Sequence, residues 1–438
     1  MYIRFCSNMM FAFKELWMHP GLGKTLESQM QNDSMTRDQI VELQQDKLKR
    51  LLSHAAQTVP YYREYFSHKK HDLTCLSLGD FPVVGKNDIR GHEKDFVSDV
   101  YDMRELVRNR TSGSTGEPFM FFRKKDELVI SYADLWRGLA RFGIRPGDKR
   151  VLVKGVDEGR QVSVPKRMKR FIYGWMNRCL LIDAHFLAAS PGHIGEVIRR
   201  IVRYRPSYFH GYASSICDIA LYAESHGIDM RSLNLKAVVT ESEKLYDFQR
   251  EVLSRVFACP VVENYGSVEF GMIAQPSRDG ELCINEDHVF VETDTDGSAI
   301  ITNLDAYAFP LIRFKNGDAL ELGGLSKTLP YRTIKKIEGR MAERIKLPNG
   351  GYLQGFVVMY PIYTFGKYIQ AYQVHQTDLE HVVLRIVERD KMPESILLEI
   401  TDGMLKLLGD EVDFRVEFVE SIPLSKRGKR LFVCSDVQ

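Results

Sequence analysis

The sequence predicts an α/β protein of two domains. The first, residues 1–338, is large: mixed and parallel sheets are flanked by helices and joined to a barrel-like antiparallel part. The second, residues 339–438, is a small α+β domain. Three observations predict this. Apolar runs at 150–153, 207–210 and 236–240 alternate with helix-like stretches at 191–204 and 214–226, the pattern of parallel βαβ units. After residue 282 the texture changes to short alternating segments at 289–292 and 298–302 around Gly297, the mark of antiparallel strands. From about residue 336 a last unit reads as strands near 371–375 and 381–388, a helix over 393–408 and a strand at 413–419. A chain of 438 residues also exceeds one ordinary compact core.

The elements before the βαβ region are less regular. Residues 1–17 place Phe5, Met9, Met10, Phe11, Phe13 and Trp17 around Arg4, an amphipathic helix that packs on its own protein or lies on a membrane surface. Lys14 and Glu15 interrupt its apolar run before any small-residue cleavage site, which argues against a signal peptide. Thr36 with Gln39 forms a capping-box pattern, and Ile40, Leu43, Leu48, Leu51, Leu52 and Ala55 then recur largely at helical spacing. Val59-Pro60-Tyr61-Tyr62 is expected to end that helix, and residues 78–89 to form a short loop-rich segment.

Composition excludes several function classes. Hydrophobic residues at 44% and charged residues at 27% describe a soluble globular chain, and no stretch approaches the roughly 18 apolar residues of a membrane span. A net charge of +2 supplies no general field for nucleic acid, and the run Lys166, Arg167, Lys169 and Arg170 reads as a solvated face that can accept an anion. Seven cysteines without a C-x-x-C pair read as reduced thiols in a cytoplasmic protein. The histidines have no zinc-ligand spacing, and no internal repeat is visible.

Five segments carry chemistry. Thr111-Ser112-Gly113-Ser114-Thr115-Gly116-Glu117-Pro118 precedes a strand-like aromatic run from Phe119, and its small residues let backbone N–H groups and hydroxyls approach a phosphate closely. It is neither a Walker loop nor a G-x-G-x-x-G turn. Tyr265-Gly266-Ser267-Val268-Glu269-Phe270-Gly271 sets a ring able to stack on a nucleobase four residues before a carboxylate able to hold a hard cation. Pro310 to Asp318 ends in an Asn316-Gly317-Asp318 turn whose carboxylate can accept ribose hydroxyls. Gly339-Arg340 with Glu343, and the basic loop that ends at Lys429, complete the set. Each is ordinary alone, and their order carries the argument.

In that order the segments resemble the adenylate-forming superfamily of acyl-CoA synthetases, adenylation domains and luciferases. The chain looks most like the phenylacetate-coenzyme A ligase branch, including relatives found in capsular-polysaccharide gene clusters. Three stretches support the branch: Val59-Pro60-Tyr61-Tyr62-Arg63, the segment from Phe81 to Ile89, and Thr240-Glu241-Ser242-Glu243-Lys244-Leu245. The resemblance implies ATP, Mg²⁺ and coenzyme A as cofactors. It implies that Thr111, Ser112, Gly113, Ser114, Thr115 and Gly116 cradle the ATP phosphates. Glu241, Ser242, Glu243 and Tyr265 would border the adenine, Gly266 and Ser267 would bind the nucleotide beside them, and Asp318 would hold the ribose. Glu269 and Thr115 would hold the metal, Arg340 would contact the nucleotide, and Lys429 would reach the carboxylate and α-phosphate from a mobile C-terminal lid. His210, Gly211, Tyr212 and Ser214 would line the acyl pocket.

The chain departs from the family pattern at Ala342, where an Asp or Lys hinge is usual, and at Phe432, the usual place of an Arg, with Arg430 instead beside Lys429. The expected reaction is ATP-dependent activation of a carboxylic acid, followed by acyl transfer to coenzyme A. The departures keep open an amine or hydroxyl acceptor in polysaccharide biosynthesis, and a degenerate nucleotide-binding protein is the third reading.

Overall fold

The computed structural model describes residues 2–68, 75–111, 119–155, 168, 172–184, 187, 193–340, 344–354, 358–359, 361–362, 365, 368–423 and 430–437. Contacts divide the chain into two units, Met1–Asp148 with Val262–Ile337, and Lys149–Val261 with Glu338–Gln438. The expected boundary between residues 338 and 339 falls at the start of the last segment of the second unit. The fold is mixed α/β, with a parallel sheet, a larger antiparallel sheet and a small C-terminal α+β layer.

The first unit opens with two helices, Tyr2–Phe5 and Met9–Met18, where the sequence suggested one. The break is Asn8, whose side-chain oxygen accepts the Phe11 N–H at 2.9 Å and so caps a new helix. Met9–Met18 buries Phe11, Ala12 and Glu15 and leaves Met9, Met10, Phe13 and Trp17 exposed. Helix Arg37–Thr58 begins at the expected box: Thr36 Oγ1 accepts the Gln39 N–H at 3.3 Å and Gln39 Oε1 accepts the Thr36 N–H at 2.9 Å. Val59 is extended, but Pro60 then starts a further helix, Pro60–Ser67, rather than ending helical structure. Proline lacks only an N–H that a first helical turn leaves unpaired, and its fixed φ already suits a helix.

Helices Arg37–Thr58 and Pro60–Ser67 pack on an aromatic core. In the hairpin Val107–Thr111 and Phe119–Arg123, Thr111 pairs with Phe119. Alternation buries Phe119, Phe121 and Arg123, and the Phe119 ring lies 5.7 Å from that of Phe314. The seven-stranded sheet runs in the order Val289–Thr293, Ser298–Asn303, Phe314–Leu325, Arg332–Arg340, Leu282–Ile284, Gly271–Pro276, Tyr265–Ser267. Beside it Arg137 is fully buried among carboxylates, with its NH1 2.6 Å from Asp287 and its NH2 2.9 Å from Asp134.

The second unit is built on a parallel sheet in the order Cys179–Asp183, Arg150–Lys154, Tyr208–Gly211, Ala237–Thr240, Val261–Glu263. Tyr208–Gly211 and Ala237–Thr240 are buried along their whole length, as strands covered on both faces must be. Helix Ile194–Tyr204 shows why: Ile194, Val197, Ile198 and Ile201 recur at helical spacing and face inward, while Arg199, Arg200 and Arg203 sit between them in sequence. The C-terminal layer is a four-stranded sheet, Asp413–Phe418, His381–Glu388, Ile369–Gln376, Val433–Ser435, with helix Glu394–Leu408. Val374, Leu384, Ile400 and Met404 fill its core. Among the described residues no helix is long and apolar enough to cross a membrane, and all seven cysteines are free thiols.

Candidate functional site

In the second unit, three neighbouring parallel strands end side by side, with Val153 paired to Gly211 and Gly211 to Thr240. The carboxyl end of an open parallel sheet is the general ligand-binding edge of α/β folds. Gly211 is required there. Its φ is +143°, and a Cβ would lie 1.9 Å from the Val153 carbonyl oxygen. The close approach lets the Tyr212 N–H donate to that oxygen at 3.0 Å and the Glu241 N–H donate to the Gly211 oxygen at 3.0 Å. Ser242 comes next at φ +69°, a left-handed conformation seldom adopted outside glycine and a sign of local constraint.

The side chains at this edge form a charged cluster. Glu241 Oε2 lies 2.8 Å from His210 Nε2, and Glu241 Oε1 pairs with the Lys154 ammonium. Burial opposes ionisation of Glu241, yet His210 and Lys154 beside it hold its carboxyl well below the usual range. His210 is 4% exposed, and burial lowers its imidazole against the pull of Glu241. Glu243 Oε2 accepts the Ser214 N–H at 3.0 Å and its hydroxyl at 2.8 Å, so it satisfies an orphan donor at the start of helix Ala213–Ser225. Its other oxygen accepts the Arg430 N–H at 3.0 Å. The Arg430 guanidinium forms a two-pronged pair with Asp218, at 3.1 and 2.9 Å.

In the first unit a second cluster forms on the antiparallel sheet. Tyr265 is 7% exposed and lies on the short strand Tyr265–Ser267, not on a loop. Its hydroxyl donates to Asp318 Oδ2 at 2.9 Å and accepts from Asn316 Nδ2 at 3.0 Å, and Asn316 also donates to Asp318 at 2.8 Å. Burial and the adjacent Asp318 carboxylate raise the Tyr265 phenol far above its ordinary value, which keeps it a donor. The register explains the placement of Asp318. Ser298 pairs with Ala319 while Ile300 pairs with Lys315, so strand Phe314–Leu325 carries extra residues here, with Gly317 at φ +89°. Glu269 sits in the turn after Ser267, 6% exposed, with Lys86 Nζ 3.5 Å away. No Cβ fits at Gly266, where it would meet the Gly271 carbonyl at 2.3 Å.

The structure thus gathers His210, Gly211, Tyr212, Ser214, Glu241, Ser242 and Glu243 in one unit, and Tyr265, Gly266, Ser267, Glu269 and Asp318 in the other. The backbone of Thr111 ends a strand and that of Arg340 ends another. Ser112, Gly113, Ser114, Thr115, Gly116, Ala342, Glu343 and Lys429 lie outside the described residues. Among the described residues no three His, Cys, Asp or Glu side chains group to hold a metal. Glu269 alone suits Mg²⁺ that takes one carboxylate and fills its shell with water and phosphate oxygens. Sequence reasoning missed Lys154 and Asp218, and named Asn316 only as part of a turn. Asn316 was legible in the Asn-Gly-Asp turn, since an Asn there bonds backbone and side chain two residues on. Asp218 had no local signal, because its partner is 212 residues away.

The CapK C-terminal domain family matches residues 345–436. The chain is 25% identical over 420 residues to Protein CapK of Staphylococcus aureus, covering 91% of this chain and 90% of that protein. It is also 25% identical over 419 residues to the phenylacetate-coenzyme A ligase of Pseudomonas putida, covering 88% and 85%. Among solved structures, 2-hydroxyisobutyryl-CoA ligase in the postadenylation state, in complex with R3-HIB-AMP, matches with a TM-score of 0.71 at 18% identity, over 92% of this chain and 91% of that one. The anthranilate CoA ligase AuaEII in complex with anthranoyl-AMP matches with a TM-score of 0.52 at 15% identity, over 76% and 67%. The chain is thus similar along most of its length to CapK and to the phenylacetate-coenzyme A ligases, and its fold is that of the CoA ligases of known structure.

Proposed function

We propose that this homologue of CapK and the phenylacetate-coenzyme A ligases is an enzyme that activates a carboxylic acid with ATP, releases pyrophosphate and transfers the acyl group to coenzyme A. The observation that carries the reading is the Tyr265, Asn316 and Asp318 cluster beside the turn of Glu269. It supplies a shielded ring for a base and a fixed carboxylate for ribose hydroxyls on the sheet, and one carboxylate for a cation in the turn that follows.

A carboxylate attacks a triphosphate poorly, so the site must align it in line with the α-phosphorus and offset the charge that develops there. Residues 111–116 cradle the phosphates, and Thr115 with Glu269 would hold Mg²⁺, which when bound neutralises phosphate charge. Lys429 brings a cation to the reacting oxygens. Glu241, Ser242 and Glu243 border the adenine, and Arg340 contacts the nucleotide near residue 339. His210, Gly211, Tyr212 and Ser214 line the acyl pocket. The acyl-adenylate is a mixed anhydride that water destroys, so residues 339–438 act as a small mobile domain that closes over it.

A second reading shares the first step and sends the acyl group to an amine or hydroxyl of a polysaccharide precursor. It is favoured by the departures from the family pattern at Ala342 and at Phe432. The test is acid-dependent exchange of labelled pyrophosphate into ATP over aryl, fatty, amino and sugar acids. Exchange with one acid class, abolished in Glu269→Gln and Lys429→Ala, is the expected result. Silence across the panel with ATP still bound would indicate a degenerate nucleotide-binding protein instead. Product analysis with and without coenzyme A then separates a thioester from an amide or ester.

A further inference from the structure

We infer that Asp218 is a positioning residue for the adenylation step: paired with Arg430, it anchors the residue that directly follows Lys429 in the chain. The inference rests on the adenylation reading above. Asp218 lies on helix Ala213–Ser225, directly after the parallel strand Tyr208–Gly211, and its carboxylate takes both prongs of the Arg430 guanidinium. Both side chains are largely shielded, at 19% and 12% exposure, so the pair is little weakened by water or salt.

A second tie meets the same residue. The Arg430 N–H donates to Glu243 Oε1, and the other oxygen of Glu243 is held by the N–H and hydroxyl of Ser214, at the first turn of the helix that carries Asp218. Residue 430 is thus fixed through its backbone by Glu243 and through its side chain by Asp218. One peptide unit, about 3.8 Å between α-carbons, joins residue 430 to Lys429, so what anchors residue 430 bears on the residue that the proposed reaction uses. Phe432 adds a third contact, its ring stacked tilted on Tyr372 at 5.3 Å and on edge to Tyr246 at 5.6 Å. The arrangement gives a physical role to the departure read in the sequence. The Arg usual at position 432 is absent, and the Arg at 430 has a partner of its own.

The full-length protein tests this with Asp218→Asn and Asp218→Glu. Two readouts serve: kcat and the ATP KM in pyrophosphate exchange, and the hydrogen-exchange rate of the peptide that contains the Arg430 amide. Asp218→Asn is expected to lower kcat about tenfold with the ATP KM unchanged, since a two-pronged charged pair is among the stronger side-chain contacts. The same change should speed exchange at the Arg430 amide about tenfold by loosening residue 430. Asp218→Glu should restore most of both. A kcat unchanged in Asp218→Asn overturns the positioning role, and unchanged protection at Arg430 overturns the clasp itself. If the unaltered protein exchanges no pyrophosphate with any acid, the adenylation reading falls, and the amide protection still judges the clasp separately.

Discussion

Tyr265→Phe removes one oxygen and leaves the ring. That oxygen donates to Asp318 at 2.9 Å and accepts from Asn316 at 3.0 Å, on a residue only 7% exposed. A hydrogen bond to a charged group is worth about 1.5–3 kcal/mol net, and a neutral one about 1 kcal/mol. The second loss is reduced because Asn316 keeps its direct bond to Asp318 at 2.8 Å and its backbone tie to the Asp318 N–H at 3.0 Å. The expected cost is about 2 kcal/mol, roughly a thirtyfold change in the folding equilibrium of this unit. Urea unfolding should show a lower midpoint at unchanged slope, the signature of a stability change alone. In pyrophosphate exchange the ATP KM should rise severalfold while kcat holds, because the ring remains to stack and only the placement of Asp318 is loosened. A loss below about 0.5 kcal/mol would refute the reasoning, since it would mean that Asp318 keeps its place without the phenol.

Two further perturbations probe other parts of the molecule. Gly211→Ala forces a Cβ to 1.9 Å from the Val153 oxygen at φ +143°, so it should cost more than about 4 kcal/mol; a thermal melt within a few degrees of the unaltered protein would contradict this. Glu127, 8% exposed, has its carboxyl pushed up to about 7 by burial, against the Ala308 N–H and Arg123 that favour its ionised form. The folded protein therefore binds a proton that the unfolded chain, near 4.5, has released. This contribution is complete below about pH 4.5 and lost as pH rises through about 7, a span worth about 3 kcal/mol. Glu127→Gln should flatten that decline, and parallel melting curves against pH for the two proteins would count against it.

Much of the fold was legible because it depends on local pattern. Helix Arg37–Thr58 was marked by a capping box and an apolar stripe, and strands Tyr208–Gly211 and Ala237–Thr240 by apolar runs between helices. The N-terminal break at Asn8 was missed because the apolar period continues through a residue that prefers a cap. Pro60 was read as an ending because a proline after a helix also suits the first turn of another, and only the packing of Tyr62 and Phe66 decides between the two. In the candidate site, Tyr265 and Asp318 were found as motif members, but not that they bond each other, since that contact spans 53 residues. Glu243 was assigned beside a nucleotide, and its contacts to Ser214 and the Arg430 amide could not be read from a sequence that separates them by 29 and 187 residues. Long-range pairings of this kind are decided by tertiary packing, which leaves no periodic trace.

Each unit is assembled from two separated stretches of chain: the first needs residues up to 337, and the second needs the C-terminal hundred to join residues 149–261. During synthesis helices Arg37–Thr58 and Pro60–Ser67 and the Phe119 hairpin leave the ribosome long before Phe270, Phe309 and Phe314, whose rings belong to the same core. Nascent chains of intermediate length therefore display an unfinished apolar face, the state in which chaperones bind and aggregation starts. The same weave governs truncation. A fragment ending at residue 340 would complete the antiparallel sheet but strip the parallel-sheet unit of its C-terminal layer. Such a fragment should be recovered with its first unit folded and its second prone to proteolysis.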